Sequence, residues 1–344
     1  MDNCSDFTPS PIYITWMQYY SIFEHSLSAY GTLCILVASP PNMLRYRRLL
    51  LAHHLLIFMF EHFVSVQCVP NAFAFTQFVA LTCSGLSTSI FGFPPIYMGN
   101  IMKVSAALIS LSMFCLYLHR YQQCLLPNDK MKLTNAGFNR FIIALYLFTL
   151  ISHTCSLQWY INWEKVENDK RDFIAKYPCY GGLLGLDFVE TFREVINLGI
   201  TGTFMHLWCL LSVALAIITR KTLKQHRFSK TAQRRQIHLL KILAIQTLVP
   251  LCIGGIGVTI PGTYLFFNFL RGNELKLRTV IEFTVSMLCL YGPFSGVLLI
   301  VCNTPYREFT VNIYNNLKNP LRFKSNTTSD ASIKPKTSMY GSKF

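Results

Sequence analysis

Seven separate apolar stretches, each close to the length of a membrane-spanning helix, constrain this chain most strongly. A helix needs about 20 apolar residues to cross the hydrocarbon core of a bilayer. Stretches of that kind lie near residues 17–39, 49–69, 96–118, 139–161, 195–219, 241–262 and 280–302. Because lipid offers no hydrogen-bond partner to an open backbone, such segments cross as helices. We therefore predict an all-α membrane protein with a seven-transmembrane helix bundle.

The composition agrees with a lipid environment. Hydrophobic residues make up 52% of the chain and charged residues 14%, whereas a soluble domain carries roughly 25% charged residues. The formal net charge of +15 would suit nucleic acid if it formed one patch on a compact domain. Here the basic residues collect in short segments between the apolar stretches, so we expect no nucleic-acid partner.

The distribution of Lys and Arg predicts the orientation of the bundle. With the N-terminus outside, the cytosolic segments hold 22 Lys and Arg and the outer segments hold 8, while Lys103 lies inside a span. Cytosolic loops carry the excess of these residues in membrane proteins. We therefore predict that the N-terminus lies outside and the C-terminus in the cytosol, which requires an odd number of crossings.

The two ends of the chain differ in composition. We predict an extracellular N-terminus over residues 1–16, with a glycosylation sequon at Asn3, followed by the seven-transmembrane domain over 17–305. Apolar residues at four-residue steps predict an amphipathic helix over 306–318 on the inner membrane surface. Residues 319–344 are rich in Ser, Thr and Lys and predict a disordered cytosolic tail.

The stretch at 70–94 is the least certain part of the helix count. It contains no charged residue, but it holds two prolines and two glycines together with several Ser and Thr. We predict a long outer loop or a re-entrant segment there, not an eighth span.

Three segments of the chain carry motifs in a distinctive order. The basic stretch Ser229–Gln236 leads into Ala244–Pro250 of the sixth span, and Lys176-Tyr-Pro-Cys179 lies in the second outer loop. The seventh span runs from Tyr291 to a closing Pro-Tyr-Arg at 305–307. In order and spacing these segments resemble the nematode serpentine chemoreceptors, particularly class H of the Str superfamily.

The resemblance implies a G-protein-coupled receptor that detects a small environmental molecule in the plasma membrane of sensory-neuron cilia. Its partners would be that small-molecule ligand, a heterotrimeric G protein and the lipid membrane, with no cofactor. The chain departs from the family pattern at Tyr291, where class H shows histidine. It has His119 where an acid often precedes the arginine in rhodopsin-like receptors.

Two other classes of protein compete with a receptor. A transporter or ligand-gated channel is the main alternative, but a transporter favours internal repeats and matched broken helices, which the sequence lacks. A membrane enzyme is the third class. The sequence contains no P-loop, HExxH or GxSxG motif and no CxxC pair, so we predict neither an enzyme nor a metal site.

Candidate coupling residues lie on the predicted cytosolic side. Arg120 and Tyr121 lie at the end of the third span. We expect Arg120 to contact the G protein or, alternatively, to extend to the membrane surface and anchor the helix end. Tyr306 and Arg307 belong to the closing motif. The third inner loop includes Arg234 and Arg235 among its eight basic residues. These residues would contact the G protein or would only set the orientation of the chain in the membrane.

The sixth span contains a possible hinge at Pro250. A proline inside a helix removes one backbone hydrogen bond, so this position allows a hinged movement of the helix or fixes a static kink. If it is a hinge, its movement would open the cytoplasmic face of the bundle.

Several polar residues lie within or beside the spans. Lys103, Glu282 and Tyr291 are candidate ligand-pocket residues, although Lys103 can instead extend to the surface and Glu282 can be interfacial. Glu61 is a candidate intramembrane switch or a structural hydrogen-bond acceptor. His53-His54 lacks a companion at metal-ligand spacing, so we predict polar contacts between helices there.

Extracellular cysteines predict a disulfide. Cys179 in the second outer loop would pair with Cys83, or alternatively with Cys68, near the outer side of the third span. We predict Cys83–Cys179 as the main pairing. Sequence alone does not fix the connectivity.

Overall fold

The structure is a computed structural model that describes residues 9–40, 43–74, 78–160, 163–176, 186–225, 233–234, 236–248 and 278–318. Its helices are α1 (Pro11–Ala38), α2 (Leu44–His62), α3 (Leu86–Phe91), α4 (Pro95–Cys124), α5 (Asn135–Tyr160), α6 (Trp163–Lys176), α7 (Thr191–Gln225), α8 (Gln236–Leu248), α9 (Arg278–Cys289), α10 (Tyr291–Cys302) and α11 (Thr304–Lys318). The strands are β1 (Pro70–Ala74), β2 (Phe78–Cys83) and β3 (Leu186–Glu190). Helix α2 continues into a π-helical segment, Phe63–Cys68.

The long apolar helices confirm the predicted fold class. Six helical stretches are long and apolar enough to cross a membrane, and the shorter apolar helix α8 lies where the sixth span was predicted. The six stretches are Pro11–Ala38, Leu44–Cys68, Pro95–Cys124, Asn135–Cys155, Ile196–Gln225 and Glu282–Cys302. Together with α8 they account for a seven-helix bundle.

Helix α1 begins at Pro11, earlier than the predicted start at residue 17. The side chain of Ser10 caps the helix by accepting a hydrogen bond from the Tyr13 amide at 3.2 Å. Pro11 follows at the first helical position, where its fixed φ suits a helix and its missing N–H costs nothing. The first helix therefore extends six residues further toward the N-terminus than the predicted span.

The seventh span is two helices, α9 and α10, with Leu290 between them. Pro293 has no amide hydrogen, so it cannot donate to the carbonyl of Cys289 four residues earlier. The hydroxyl of Tyr20 on α1 contacts that carbonyl instead, and its one hydrogen is shared between this carbonyl and the Glu61 carboxylate. The break in this span thus creates a backbone acceptor that α1 uses.

Helix α4 lies at the centre of the bundle. Every residue from Ile109 to Gln122 is buried, which is typical of a helix surrounded by others rather than one with a single packed face. Its buried side chains contribute to three apolar clusters, which also draw on α1, α2, α5, α7, α8, α10 and α11. Any change in the packing of the bundle therefore affects α4.

Helices α5 and α7 present apolar side chains outward. On α5 the exposed set is Phe141, Ile143, Leu147, Phe148, Leu150 and Ile151, and on α7 it is Leu207, Leu210, Leu211, Val213, Ile217 and Ile218. In water such faces would be an aggregation hazard. Facing lipid, they are the expected exterior of a membrane bundle.

A small antiparallel sheet, in the order β1-β2-β3, lies at one end of the bundle. Strands β1 and β2 fall in the segment 70–94, which also holds α3, so the prediction of a loop or re-entrant segment missed this structure. Strand β3 comes from the second outer loop, and its Asp187 accepts a hydrogen bond from the Ile96 amide at 3.1 Å at the start of α4. Burial raises the pKa of Asp187, and that hydrogen bond opposes the rise.

The sheet explains why the predicted Cys83–Cys179 disulfide is wrong. The structure joins Cys83 to Cys68, with their Cα atoms 4.8 Å apart. Strand β1 starts at Pro70, two residues after Cys68, and its antiparallel register places Pro70 opposite Cys83. The hairpin thus brings the two cysteines within disulfide distance, while Cys179 lies outside the described residues.

We name the two ends of the bundle by what they carry. The basic end holds the last turns of α1, α4 and α10 and the first turns of α2 and α5. The sheet end holds the three strands and the Cys68–Cys83 disulfide.

Candidate functional site

A cavity of about 320 Å³ opens at the basic end of the bundle; we call it the Arg120 cavity. It lies where the end of α1, the start of α2, α4, α8 and the α10–α11 junction meet. Side chains that line it include Tyr46, Arg120, His238, Ile242, Asn303 and Tyr306.

Arg120 is held inside the bundle rather than at its surface. Its side chain is 1% exposed, and its guanidinium carbon lies 3.8 Å from the ring centre of Tyr46 on α2, which is close for a cation–π contact. One nitrogen, Nη1, donates to Gln123 at 3.1 Å. The buried Nε and Nη2 atoms have no hydrogen-bond partner among the described residues. Arg120 therefore keeps unused donors beside the cavity instead of extending to the surface.

The other predicted coupling residues are distributed around this end. Tyr306 is buried in the cavity wall, and its hydroxyl is hydrogen-bonded to Ser39 at 2.8 Å, which connects α11 to the end of α1. Arg307 and Arg234 are exposed. Tyr121 instead packs in the apolar cluster between α4, α5 and α7. The structure thus brings Arg120 and Tyr306 into one cavity and places Tyr121 outside it.

Glu61 connects three helices in the sheet-end half of the bundle. Its carboxylate accepts hydrogen bonds from the Tyr20 hydroxyl on α1 at 2.6 Å and from the Gly292 amide on α10 at 2.9 Å. A Cβ atom at Gly292 would lie 2.9 Å from Glu61 Cγ and Oε1. Glycine at this position therefore permits the close approach of α10 to the buried carboxylate.

The three candidate ligand-pocket residues have separate surroundings. Both carboxylate oxygens of Glu282 accept hydrogen bonds from Ser10, at 2.7 and 2.8 Å, so Glu282 connects α9 to the cap of α1. Tyr291 packs in the apolar cluster of α1, α2 and α4. Lys103 lies on α4 and is half-buried. The predicted pocket role of these three residues stays a prediction.

Some predicted positions lie outside the described residues. These are Asn3, Cys179, Arg235 and Pro250. The predicted roles of these four residues stay predictions.

The polar contacts of the bundle include one set that was predicted and two that were missed. His53 contacts Ser112 on α4 at 2.6 Å, and His54 contacts the Ser28 carbonyl on α1 at 3.0 Å, which confirms the prediction for this pair. Gln123, which is hydrogen-bonded to both Arg120 and His119, was not predicted from the sequence. Its spacing of three residues from Arg120 along one helix was the available signal.

A second missed contact joins α4 and α8. The hydroxyls of Tyr117 and Thr247 are hydrogen-bonded at 3.0 Å across the buried interface of the two helices. The two residues are 130 positions apart in sequence, and no local spacing pattern relates them. Within the described residues, no group of His, Cys, Asp or Glu side chains is arranged to hold a metal ion.

Comparison with known proteins identifies the family. Residues 9–316 match the family described as serpentine type 7TM GPCR chemoreceptor Srh. The chain belongs to the Srh family. The resemblance to nematode serpentine chemoreceptors is thereby confirmed, and the chain is a multi-pass chemosensory seven-transmembrane receptor.

A curated relative supports the assignment to the serpentine receptors. The Srh chain is similar to serpentine receptor class delta-18 of Caenorhabditis elegans, at 24% identity over 280 residues. The alignment covers 78% of this chain and 79% of that protein. Family membership favours a receptor over the transporter or channel alternative.

Proposed function

We propose that this Srh receptor detects a small environmental molecule at its sheet end and activates a heterotrimeric G protein at its basic end. The observation that carries the proposal is Arg120, which is buried beside a cavity with two nitrogens that lack partners among the described residues. A buried donor without a partner costs about 1–3 kcal/mol. A protein segment that enters the cavity with carbonyl or carboxylate oxygens would recover that free energy.

Charge supports this orientation of the receptor. The excess of Lys and Arg belongs to the loops of the basic end, and such loops face the cytosol in most multi-pass proteins. The sheet end, with its disulfide, then faces the oxidising exterior. The plasma membrane of sensory-neuron cilia, which the family resemblance implies, is the proposed location.

The surroundings of the Arg120 cavity suit a partner protein. Five exposed basic residues lie on α7, on α8 or between the two helices in sequence: Arg220, Lys221, Lys224, Arg234 and Lys241. Positive charge of this kind steers an acidic partner and speeds its association. The apolar part of the lining, including Ile242, would contact the hydrophobic side of an inserted helix.

Activation would require α8 to move. This helix packs its buried Leu240 and Leu243 against α4 and closes one side of the Arg120 cavity with Ile242. A ligand that binds the outer half of the bundle, where Lys103 is the proposed contact, would favour the packing with α8 displaced. Pro250 is the proposed hinge for that displacement.

Nucleotide exchange by a purified G protein tests the proposal. The receptor is reconstituted in lipid, and exchange is measured with and without a panel of volatile and water-soluble odorants. We expect Arg120→Met to reduce receptor-stimulated exchange by roughly tenfold or more, because a charge-assisted contact contributes about 1.5–3 kcal/mol. Arg140→Met removes an exposed arginine of α5 at the same end and should leave exchange within about twofold of wild type.

Two results would contradict the proposal. One is equal exchange in the Arg120 and Arg140 variants. The other is a flat exchange response to every odorant together with ligand-gated conductance in proteoliposomes, which would favour a channel.

A further inference from the structure

A second cavity at the basic end, of about 570 Å³, lies apart from the mechanism proposed above. It is bounded by the start of α2, the end of α4, the loop from Leu125 to Thr134 and the start of α5. We call it the basic pocket. Its polar lining consists mainly of Arg45, Arg48, His119, Gln122, Lys132 and Asn139. Its volume falls within the range of about 300–1,000 Å³ that is usual for small-molecule sites.

The positive charge of the basic pocket is not neutralised by the described part of the chain. Arg45, Arg48 and Lys132 line it, and no Asp or Glu does. We observe no ion pair from any of the three to an acid among the described residues. Three cations that share one concave space repel one another, so an anion bound among them would be stabilised.

Hydrogen bonds between the loop and α4 fix the wall of the pocket. Gln122 holds the loop against α4, since its amide donates to the Met131 carbonyl at 3.0 Å and accepts from the Leu133 amide at 2.9 Å. The ammonium group of Lys132 is fixed by the carbonyls of Gln122 and Leu125. A positively charged loop that served only topology would not need such a fixed geometry.

The remaining side chains favour an oxygen-rich anion. The guanidinium of Arg45 lies 5.6 Å from the ring centre of Phe138, and Arg48 is exposed at the pocket mouth. Arginine donates two parallel hydrogen bonds to a phosphate, and lysine supplies a point charge. The start of α5, with Asn135 and Asn139 in the lining, adds side-chain amide donors and the positive end of a helix dipole.

Apolar groups at the rim indicate where the rest of the ligand lies. Leu44 and Leu133 line the pocket, yet 45% and 39% of their surfaces are exposed. The outward apolar face of α5 begins nearby at Phe141. A lipid whose anionic headgroup occupies the pocket can thus place its acyl chains against this apolar face.

We infer that the basic pocket binds the clustered phosphate groups of a phosphoinositide lipid. The inference uses the proposed cytosolic orientation of the basic end, because these lipids belong to the cytosolic leaflet. It does not depend on G-protein activation. Gln123 lines the pocket and also bonds Arg120, so the bound headgroup lies next to the side chain that anchors Arg120.

Direct binding to the full-length receptor in detergent tests the inference. The probe is a fluorescent short-chain phosphatidylinositol bisphosphate, and binding is followed by fluorescence anisotropy. The variant Arg48→Gln/Lys132→Gln removes two charges from the pocket. The control Lys221→Gln/Lys224→Gln removes two exposed charges from α7 at the same end. We expect the Kd to rise roughly tenfold or more in the pocket variant and less than about twofold in the control.

A second variant distinguishes a loss of binding from a loss of folding. Lys132 also holds the loop, so Arg48→Gln is tested alone. Arg48 is exposed and makes no observed ion pair among the described residues, and its substitution should leave the thermal unfolding midpoint unchanged. We expect this single change to raise the Kd by roughly threefold or more.

Other anions distinguish the source of the phosphate. If soluble inositol trisphosphate binds as tightly as the lipid, with the same sensitivity to the variants, the phosphate site stands and its ligand is soluble. Equal affinity for short-chain phosphatidylserine, equal losses in the pocket and control variants, or no binding of either phosphorylated probe would overturn the inference. Because no G protein is present, these outcomes are independent of the exchange assay.

Discussion

At the residue scale, Glu61 shows how a single carboxylate can connect helices that are far apart in sequence. Its side chain lies fully inside the bundle and accepts from Tyr20 on α1 and from the Gly292 amide on α10. An ionisable residue in a span is costly unless its polar atoms have partners. The contacts favour a structural role, and a role as a switch remains the alternative to test.

Two substitutions of Glu61 distinguish the contribution of its side-chain volume to stability from that of its hydrogen bonds. Glu61→Gln keeps one oxygen for the Gly292 amide and should cost less than about 1 kcal/mol of stability. Glu61→Ala leaves the Gly292 amide and the Tyr20 hydroxyl with one acceptor fewer and opens a cavity, so we expect a loss of about 2–4 kcal/mol. Thermal unfolding in detergent measures both changes.

The control for Glu61 is Ser26→Ala on α1. The hydroxyl of Ser26 is exposed and donates only to the Ile22 carbonyl of its own helix, so its removal should shift stability by less than about 0.5 kcal/mol. If Glu61→Ala unfolds like wild type, the network has no structural role. A severalfold change in basal nucleotide exchange by a stably folded Glu61→Gln variant would instead support the switch.

At the element scale, we expect the interface of α8 and α4 to control how easily the Arg120 cavity opens. Buried Leu243 packs in the apolar cluster that includes Tyr117 and Leu116. The hydrogen bond between Thr247 and Tyr117 is a directional contact at that interface. A displacement of α8 would break it.

Thr247→Val should therefore raise ligand-independent exchange by the G protein. Loss of one hydrogen bond changes the balance of the two packings by about 1 kcal/mol, or roughly fivefold. The matched control is Thr219→Val, since the buried Thr219 hydroxyl donates to the Leu215 carbonyl within its own helix. The same basal rate in both variants would show that the contact does not restrain α8.

The disulfide at the sheet end belongs to a single hairpin. Since Cys68 and Cys83 pair with each other, Cys68→Ser and Cys83→Ser remove the same bond and should lower stability equally, by about 2–4 kcal/mol. The double variant should be no worse than either single one, while Cys179→Ser should keep the bridge. Peptide mapping under non-reducing conditions measures the pairing directly, and a peptide that joins Cys83 to Cys179 would contradict it.

At the scale of the whole molecule, the helices could be predicted from the sequence, but most of their contacts could not. The length of an apolar stretch is a local property of the sequence. A stretch long enough to cross the bilayer directly predicts a spanning helix. The contact of Glu282 with Ser10 joins residues 272 positions apart, and local patterns do not encode such a distance. For this reason the sequence did not predict that Glu282 contacts the cap of α1, and the pocket role of Lys103, Glu282 and Tyr291 stays a prediction.

The remaining differences arise where one sequence pattern fits two structures. An arginine at the end of a span can extend outward or lie buried, and only the presence of Tyr46 and Gln123 around Arg120 decides between them. The uncharged segment 70–94 fits a loop as well as the hairpin that it forms. Its register, which places Pro70 opposite Cys83, fixes the disulfide that the cysteine positions alone left open.

Epitope accessibility at the two termini tests the proposed arrangement most directly. A tag is placed before Met1 in one version of the receptor and after Phe344 in another, and antibody binding is compared in intact and permeabilised cells. We predict that the N-terminal tag is detected on intact cells and the C-terminal tag only after permeabilisation, because the excess of Lys and Arg predicts that the basic end faces the cytosol. Detection of the C-terminal tag on intact cells would place the Arg120 cavity outside and contradict G-protein binding there.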